Sequence, residues 1–326
     1  MFKVCCFRPK SDFEEVNFRI PETVEVVFCT DYREEAMISA CNNVDAILAP
    51  SPYPRIPRKV IEAGKNLKLI QLTGAGFDTV DLEAAKETGV KVANVSGGNA
   101  RAVAEYTLLV AGVLGRRLIT SFSMTNKGYE ETRSEVLSNS QWEFARRTFG
   151  IIGMGRIGKE VARMANFFGI KILYYDLQRS SENIEAELGA KYVSLHDLLE
   201  AADVVTIHVP LNDQTRDLIS YEELKRMKSS AHIINADRGG IINESALIWA
   251  LENEEIAGAA IDSFVTEPLP GEHPLAKFSI ATREKLLLTP HIAGGTVQSF
   301  QRMFDASWNN ILRVARGEMP ENLVSK

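Results

Sequence analysis

The sequence predicts an α/β protein built on parallel sheets, and three observations carry that prediction. Short apolar runs alternate with helix-length amphipathic stretches along most of the 326 residues, the signature of strand–helix–strand crossovers. The rhythm breaks at an Ala/Val/Leu-rich segment, residues 99–114, and restarts at Thr148. At ~150 residues per domain, the length suits two such units.

In chain order, residues 1–7 form a first strand. Their apolar part is too short for a signal peptide and no small-residue cleavage site follows. Strands are expected at 24–28, 46–49 and 67–72, with amphipathic helices at 34–42 and 58–63 between them. Thr73-Gly74-Ala75-Gly76 makes a turn, a helix covers 81–88 and a strand 90–95. Ser96-Gly97-Gly98 supplies N-cap chemistry for a mostly buried helix over 99–114. Residues 120–141 are polar and predict a surface helix. Strands follow at 148–153, 170–175, 203–209, 231–236 and 257–261, with a helix at 157–168 and an amphipathic helix at 296–317.

Composition narrows the function. A net charge of −6 offers no basic excess for nucleic acid or an anionic membrane surface. No apolar run approaches the ~18 residues of a membrane span. Cys5, Cys6, Cys29 and Cys41 form no C-x-x-C pair and no zinc-like spacing with histidine, so no metal is expected. They read as reduced thiols of a cytoplasmic protein.

The sharpest local signal is G-x-G-x-x-G at Gly153, Gly155 and Gly158, directly after an apolar strand and opening a helix. The first glycine permits the tight turn, the second lets a pyrophosphate approach the backbone, and the third packs helix on strand. The helix N-terminus adds free N–H groups and a positive dipole end. Asp176 ends the next strand, 18 positions after Gly158, where a carboxylate takes the ribose hydroxyls of a dinucleotide. It would repel a 2′-phosphate, which predicts NAD, with NADH preferred over NADPH, although Arg179 lies nearby. Arg156 stands where it can touch the pyrophosphate.

Three later motifs each end a strand: Ala236-Asp237-Arg238-Gly239-Gly240, Asp262-Ser263-Phe264-Val265-Thr266-Glu267-Pro268, and Thr289-Pro290-His291-Ile292. In open parallel sheets, ligands bind outside the carboxyl ends of the strands, so Arg238, Glu267 and His291 belong beside the cofactor. The order and setting of these motifs resemble those of the D-isomer-specific 2-hydroxyacid dehydrogenases. That resemblance implies reduction of a 2-oxo acid, which needs a carboxylate anchor, a hydride donor and a proton donor. Arg238 suits the anchor as a permanent bidentate cation, and His291 suits acid–base work near neutrality. Glu267 would orient the imidazole and favour its charged form.

With these motifs in that order, the chain resembles the D-isomer-specific 2-hydroxyacid dehydrogenases, the group of D-phosphoglycerate, glycerate and hydroxypyruvate oxidoreductases. The likeness runs from the strand before Gly74-Ala75-Gly76-Phe77-Asp78 to Asn309. It implies two Rossmann-like doubly wound parallel-sheet domains with a cleft between them. The discontinuous substrate-binding domain would comprise 1–98 and 292–326, and the NAD-binding domain 99–291. It implies a small 2-oxo or 2-hydroxy acid as substrate and a homodimer. Cofactor contacts carried over are Gly153, Met154, Gly155, Arg156, Ile157, Gly158, Asp176, His208, Val209, Pro210, Thr215, Ala236, Asp262 and Gly294, with a lesser one from Thr206. Asp262 matches a position that meets the nicotinamide carboxamide, whereas His208 reads as packing or an adenosine-side contact. The N–H groups of Ala75 and Gly76 would take the substrate carboxylate, with Tyr53 and the rest of the Ser51-Pro52-Tyr53 loop lining the side-chain pocket.

Three departures from the family pattern stand out: a short segment between Trp142 and Gly150, Ser96 where proline is common, and a long connection between Pro274 and Thr289. Glu267 argues against the formate-type branch. An NAD(H)-binding corepressor-like protein and a phosphite-type dehydrogenase stay open as alternatives. The sequence favours a small unphosphorylated acid such as glyoxylate or hydroxypyruvate.

Overall fold

The computed structural model describes residues 1–51, 53–122, 124–138, 141–277 and 284–324. Pro52 of the expected substrate loop and residues 278–283 of the long connection lie outside the described residues. The chain divides into two compact units, Met1–Asn99 with Gly295–Lys326, and Ala100–Gly294.

In the first unit, β1 (Phe2–Cys6), β2 (Val24–Phe28), β3 (Ala46–Ala49), β4 (Leu69–Leu72) and β5 (Lys91–Ala93) form a parallel sheet of order β2-β1-β3-β4-β5. In β3 and β4 every residue is buried, which is why β3 reads as an unbroken apolar run and β4 as one interrupted only by Gln71. The period of two still divides them. Ile47 and Ile70 enter one core with Val60 and Ile61, while Leu48 and Leu69 face the other with Phe304, Trp308 and Ile311. Those last three lie on the helix Val297–Ala315, whose apolar stripe caps this sheet. A buried polar pair lies there too: the Asn310 amide donates to Gln71 Oε1 at 2.9 Å.

The second unit carries β6 (Thr148–Ile152), β7 (Lys171–Tyr175), β8 (Ala190–Tyr192), β9 (Val204–Ile207), β10 (His232–Asn235), β11 (Gly258–Ile261) and β12 (Leu286–Leu288). Their order is β12-β11-β10-β9-β6-β7-β8, parallel throughout. Because every pairing is parallel, the carboxyl ends of β6, β9, β10, β11 and β12 line one edge of the sheet, and the strand order reverses at β6. Ile152, Val205, Ile207, Ile233 and Ile261 enter the core on one face; Phe149, Ile151, Val204, Ile234 and Ala260 enter that on the other.

The polar stretch, where the sequence predicts a surface helix, carries the helices Leu118–Phe122, Met124–Lys127 and Tyr129–Ser138. Gly128, with φ of 91°, breaks the last two apart. Helices at Lys10–Glu15, Glu182–Leu188, Leu195–Ala201, Tyr221–Arg226 and Glu244–Glu252, and β8, are additional to the sequence reading. Among the described residues no helix is long and apolar enough to cross a membrane.

Candidate active site

The phosphate loop connects β6 to the helix Arg156–Phe167. Gly153 has φ of 95°, and a Cβ on it would come within 2.3 Å of the His208 carbonyl oxygen. A Cβ on Gly158 would lie 2.0 Å from the Gly153 oxygen. At Gly155 a Cβ would meet nothing within 4 Å, so open space stands over the start of the helix. No side chain caps that helix, leaving its first N–H groups for an anion. A tight turn, an uncapped helix and open space between them fit a dinucleotide pyrophosphate.

Asp176 follows β7 as expected. Its Oδ2 accepts from the Met154 N–H at 2.7 Å and its Oδ1 from the Gln178 N–H at 3.2 Å, which ties the acid to the phosphate loop. Arg179 is engaged elsewhere: its guanidinium grips Glu185 with two bonds, at 2.9 and 2.8 Å. That pair, with the Tyr174 hydroxyl donating at 2.7 Å, holds the Glu185 carboxyl down at about 2.

After β9, His208 is buried, and burial pushes its imidazole down to about 3, so it is neutral. Its Nε2 lies 2.8 Å from Thr206 Oγ1. Val209 is half-buried and Pro210 exposed on the loop that follows. Thr215 is buried, its hydroxyl donating to the Pro210 oxygen at 2.6 Å and accepting from the Asn212 N–H at 2.8 Å. It shapes the loop after β9 from within.

Beyond β10, Asn235 and Ser263 hold the Arg238 turn. The Asn235 amide donates to the Arg238 oxygen at 2.8 Å, and the Ser263 hydroxyl to the Asp237 oxygen at 3.1 Å. The Arg238 Nη1 donates to the Asp237 oxygen at 2.7 Å, which fixes the direction of its guanidinium.

His291 and Glu267 meet. His291 Nδ1 stands 2.8 and 3.1 Å from the two carboxylate oxygens of Glu267, both side chains about one-quarter exposed. A carboxylate only accepts, so Nδ1 carries the proton and Nε2 is left for chemistry. The Phe264 N–H also donates to Glu267 Oε1, at 2.9 Å. Burial favours the neutral acid, but the His291 bond and charge, the Phe264 N–H and the Arg238 charge outweigh it and lower the Glu267 value. The dependence on Arg238 places all three groups in one electrostatic neighbourhood.

Asp262 proves to be an organiser. It is 1% exposed, and its carboxylate accepts from Thr289 Oγ1 at 2.5 Å, Ile292 N–H at 2.9 Å and Ala293 N–H at 2.8 Å. Its backbone oxygen accepts from the His291 N–H at 2.8 Å. This clamp holds His291 at φ 54°, a left-handed conformation in which non-glycine residues are uncommon. Ala236 and Ala293 pack beneath with Val103, and Gly294 follows half-buried. Missing from the sequence reading is Gly239: a Cβ there would fall 1.9 Å from the Phe264 carbonyl carbon. A glycine after Arg238 was visible; the backbone pressed against it was not.

In the first unit, the Asn94 amide donates to the Ala75 oxygen at 2.6 Å and the Val95 N–H to the Gly74 oxygen at 3.0 Å, shaping the turn after β4. Among the described residues nothing accepts from the N–H groups of Ala75 and Gly76. Tyr53 is exposed and packs edge-on to Tyr32, with ring centroids 5.0 Å apart.

Comparison with known proteins identifies the family. The family model for the D-isomer specific 2-hydroxyacid dehydrogenase NAD binding domain matches residues 114–293. The glyoxylate reductase of Thermofilum pendens is 37% identical over 272 residues, covering 83% of this chain and 79% of that protein. The glyoxylate reductase of Korarchaeum cryptofilum is 35% identical over 293 residues, covering 90% and 86%. Among solved structures, the NAD-dependent formate dehydrogenase of Staphylococcus aureus in complex with NAD superposes with a TM-score of 0.84 at 28% identity, over 100% of this chain and 99% of that one. The chain belongs to the D-isomer specific 2-hydroxyacid dehydrogenase family and is an NAD-dependent oxidoreductase.

Proposed function

We propose that the protein interconverts a small D-2-hydroxy acid and its 2-oxo acid, with His291 and Glu267 as the acid–base pair and Arg238 as the substrate anchor. The observation that carries this reading is the bond from His291 Nδ1 to Glu267, at the same sheet edge as the phosphate loop. NADH held at the phosphate loop would supply the hydride, and His291 Nε2 would deliver the proton to the former carbonyl oxygen of the substrate. Glu267 stabilises the imidazolium before transfer, and Arg238 holds the substrate carboxylate or polarises the oxo group. The same groups serve in reverse for oxidation, the neutral imidazole then accepting the proton.

Gly153, Met154, Gly155, Arg156, Ile157 and Gly158 would cradle the pyrophosphate, with Asp176 on the ribose. The Asp176 carboxylate, and the engagement of Arg179 by Glu185, support NADH over NADPH. We assign the unengaged Ala75 and Gly76 N–H groups to a substrate carboxylate and Tyr53 to the pocket rim. Glyoxylate or hydroxypyruvate is the favoured substrate, in keeping with the names of the relatives. Four free, buried cysteines fit a reducing, cytoplasmic setting. A homodimer is supported by large apolar side chains left exposed on neighbouring helices of the second unit, notably Leu109, Phe122, Tyr129, Leu137 and Phe167.

The test is turnover of glyoxylate, hydroxypyruvate, pyruvate and phosphonooxypyruvate with each cofactor, in wild type and Arg238→Ala. Wild type should reduce the small acids with NADH, and the variant should lose most of that activity while binding NADH normally. Near-normal kcat/KM in the variant would remove Arg238 from the anchor role. No turnover of any 2-oxo acid would favour a binding protein.

A further inference from the structure

Tyr106 lies on the helix Ala100–Gly115, 183 positions before Thr289, and its hydroxyl sits 2.6 Å from Thr289 Oγ1. The direction of that bond follows from its neighbours. Thr289 has one hydroxyl proton, and it points at Asp262 Oδ1 across 2.5 Å, to a carboxylate that only accepts. The Thr289 oxygen is therefore an acceptor toward Tyr106, and the tyrosine must donate. The result is a directed chain, Tyr106 to Thr289 to Asp262, whose last member accepts from the N–H groups of the two residues after His291. The His291 N–H is held by the Asp262 backbone oxygen and, at 3.0 Å, by that of Thr289.

We infer that Tyr106 is a positioning residue for the reaction: through Thr289 and Asp262 it locks the loop that presents the His291 imidazole to Glu267 and to substrate. The inference rests on the acid–base reading of His291 above. The loop needs such a lock because His291 adopts a left-handed backbone that an unconstrained chain would abandon. Chains of hydrogen bonds strengthen one another, so losing the terminal donor weakens the Thr289–Asp262 bond as well. Burial, helped by the Asp262 charge and opposed by the Thr289 bond, pushes the Tyr106 hydroxyl up to about 12, so it remains a donor across the working range. The tyrosine ring also packs against Val103, Ala236 and Ala293, and phenylalanine would preserve that packing.

Tyr106→Phe, Thr289→Val, their double variant, Thr289→Ser and His291→Ala would be compared by steady-state kinetics with glyoxylate and NADH, alongside thermal melts. Expected is a fall in kcat of about tenfold for Tyr106→Phe, with KM for NADH within twofold and little change in melting temperature. Thr289→Val should fall at least as far, the double variant no further than Thr289→Val, and Thr289→Ser should keep near-wild-type kcat because it retains the hydroxyl. Wild-type kcat in Tyr106→Phe, or losses that multiply in the double variant, would overturn the relay. His291→Ala separates the two failures: if it keeps activity, the acid–base reading itself falls. If it is inactive while Tyr106→Phe is normal, only the relay falls.

Discussion

Gly239→Ala tests whether activity depends on how tightly two backbone segments are pressed together, because it alters no charged or titratable group. A Cβ at position 239 would lie 1.9 Å from the Phe264 carbonyl carbon, 2.1 Å from its oxygen and 2.3 Å from the Val265 nitrogen. All three are backbone atoms, so no side chain can swing aside. Ordinary carbon contact begins near 3.4 Å. The Arg238 turn and the segment leading to Glu267 must therefore part by about 1.5 Å. Overpacking of this kind costs about 1–3 kcal/mol of stability. The activity should suffer more: a displacement of about 1 Å in a positioned group can cost ~10²-fold. The expected outcome is a ~10²-fold loss in kcat/KM for glyoxylate, with NADH binding, followed by fluorescence quenching, within a few-fold of wild type. Gly240→Ala is the control. Its φ of 82° makes alanine strained, at about 1–2 kcal/mol, but the nearest atom is 3.6 Å away and on the flexible Arg216 side chain. It should lose melting temperature with only a few-fold loss of kcat/KM. Wild-type kcat/KM in Gly239→Ala, within threefold, would refute the argument that this approach sets the distance between Arg238 and Glu267.

Glu267→Gln should lower kcat with glyoxylate at least about tenfold, since an amide can present its N–H groups to Nδ1 and turn the imidazole to the wrong tautomer; an unchanged kcat would make Glu267 a turn residue. The Glu267 value is lowered in the fold, so its charge stabilises above the ordinary glutamate value and that increment disappears as pH falls through the lowered one. Wild-type and Glu267→Gln melting temperatures should accordingly differ at neutral pH and converge in acid. Asp176→Ala should weaken NADH binding and narrow the NADH-to-NADPH ratio of kcat/KM; an unchanged ratio would show that another group reads the ribose. If the proposed homodimer forms through the exposed apolar helices, Phe122→Asp combined with Phe167→Asp should lower the sedimentation coefficient to that of a monomer, and an unaltered value would overturn that interface.

Local signals carried a good deal of this molecule. The phosphate loop was legible because its three glycines fall at a fixed spacing directly between an apolar strand and a helix, and Asp176 because one strand separates it from that loop. Buried parallel strands announce themselves as apolar runs, and parallel strands put Arg238, Glu267 and His291 at carboxyl ends before any contact is known. Short helices such as Glu182–Leu188 were harder to read, because with only Leu188 buried they leave almost no apolar periodicity. Partner choice was beyond local reading. Nothing near Asp262 announces that its carboxylate clamps the two residues after His291, and nothing near Tyr106 points to Thr289. Hydroxyls and carboxylates accept many partners, and the order β9-β10-β11-β12 selects these by setting four strand ends side by side. The close approach at Gly239 has the same origin. Sequence by itself determined which residues can do the chemistry; tertiary packing decided the distances between them, because those distances belong to segments that meet only once the sheet is formed.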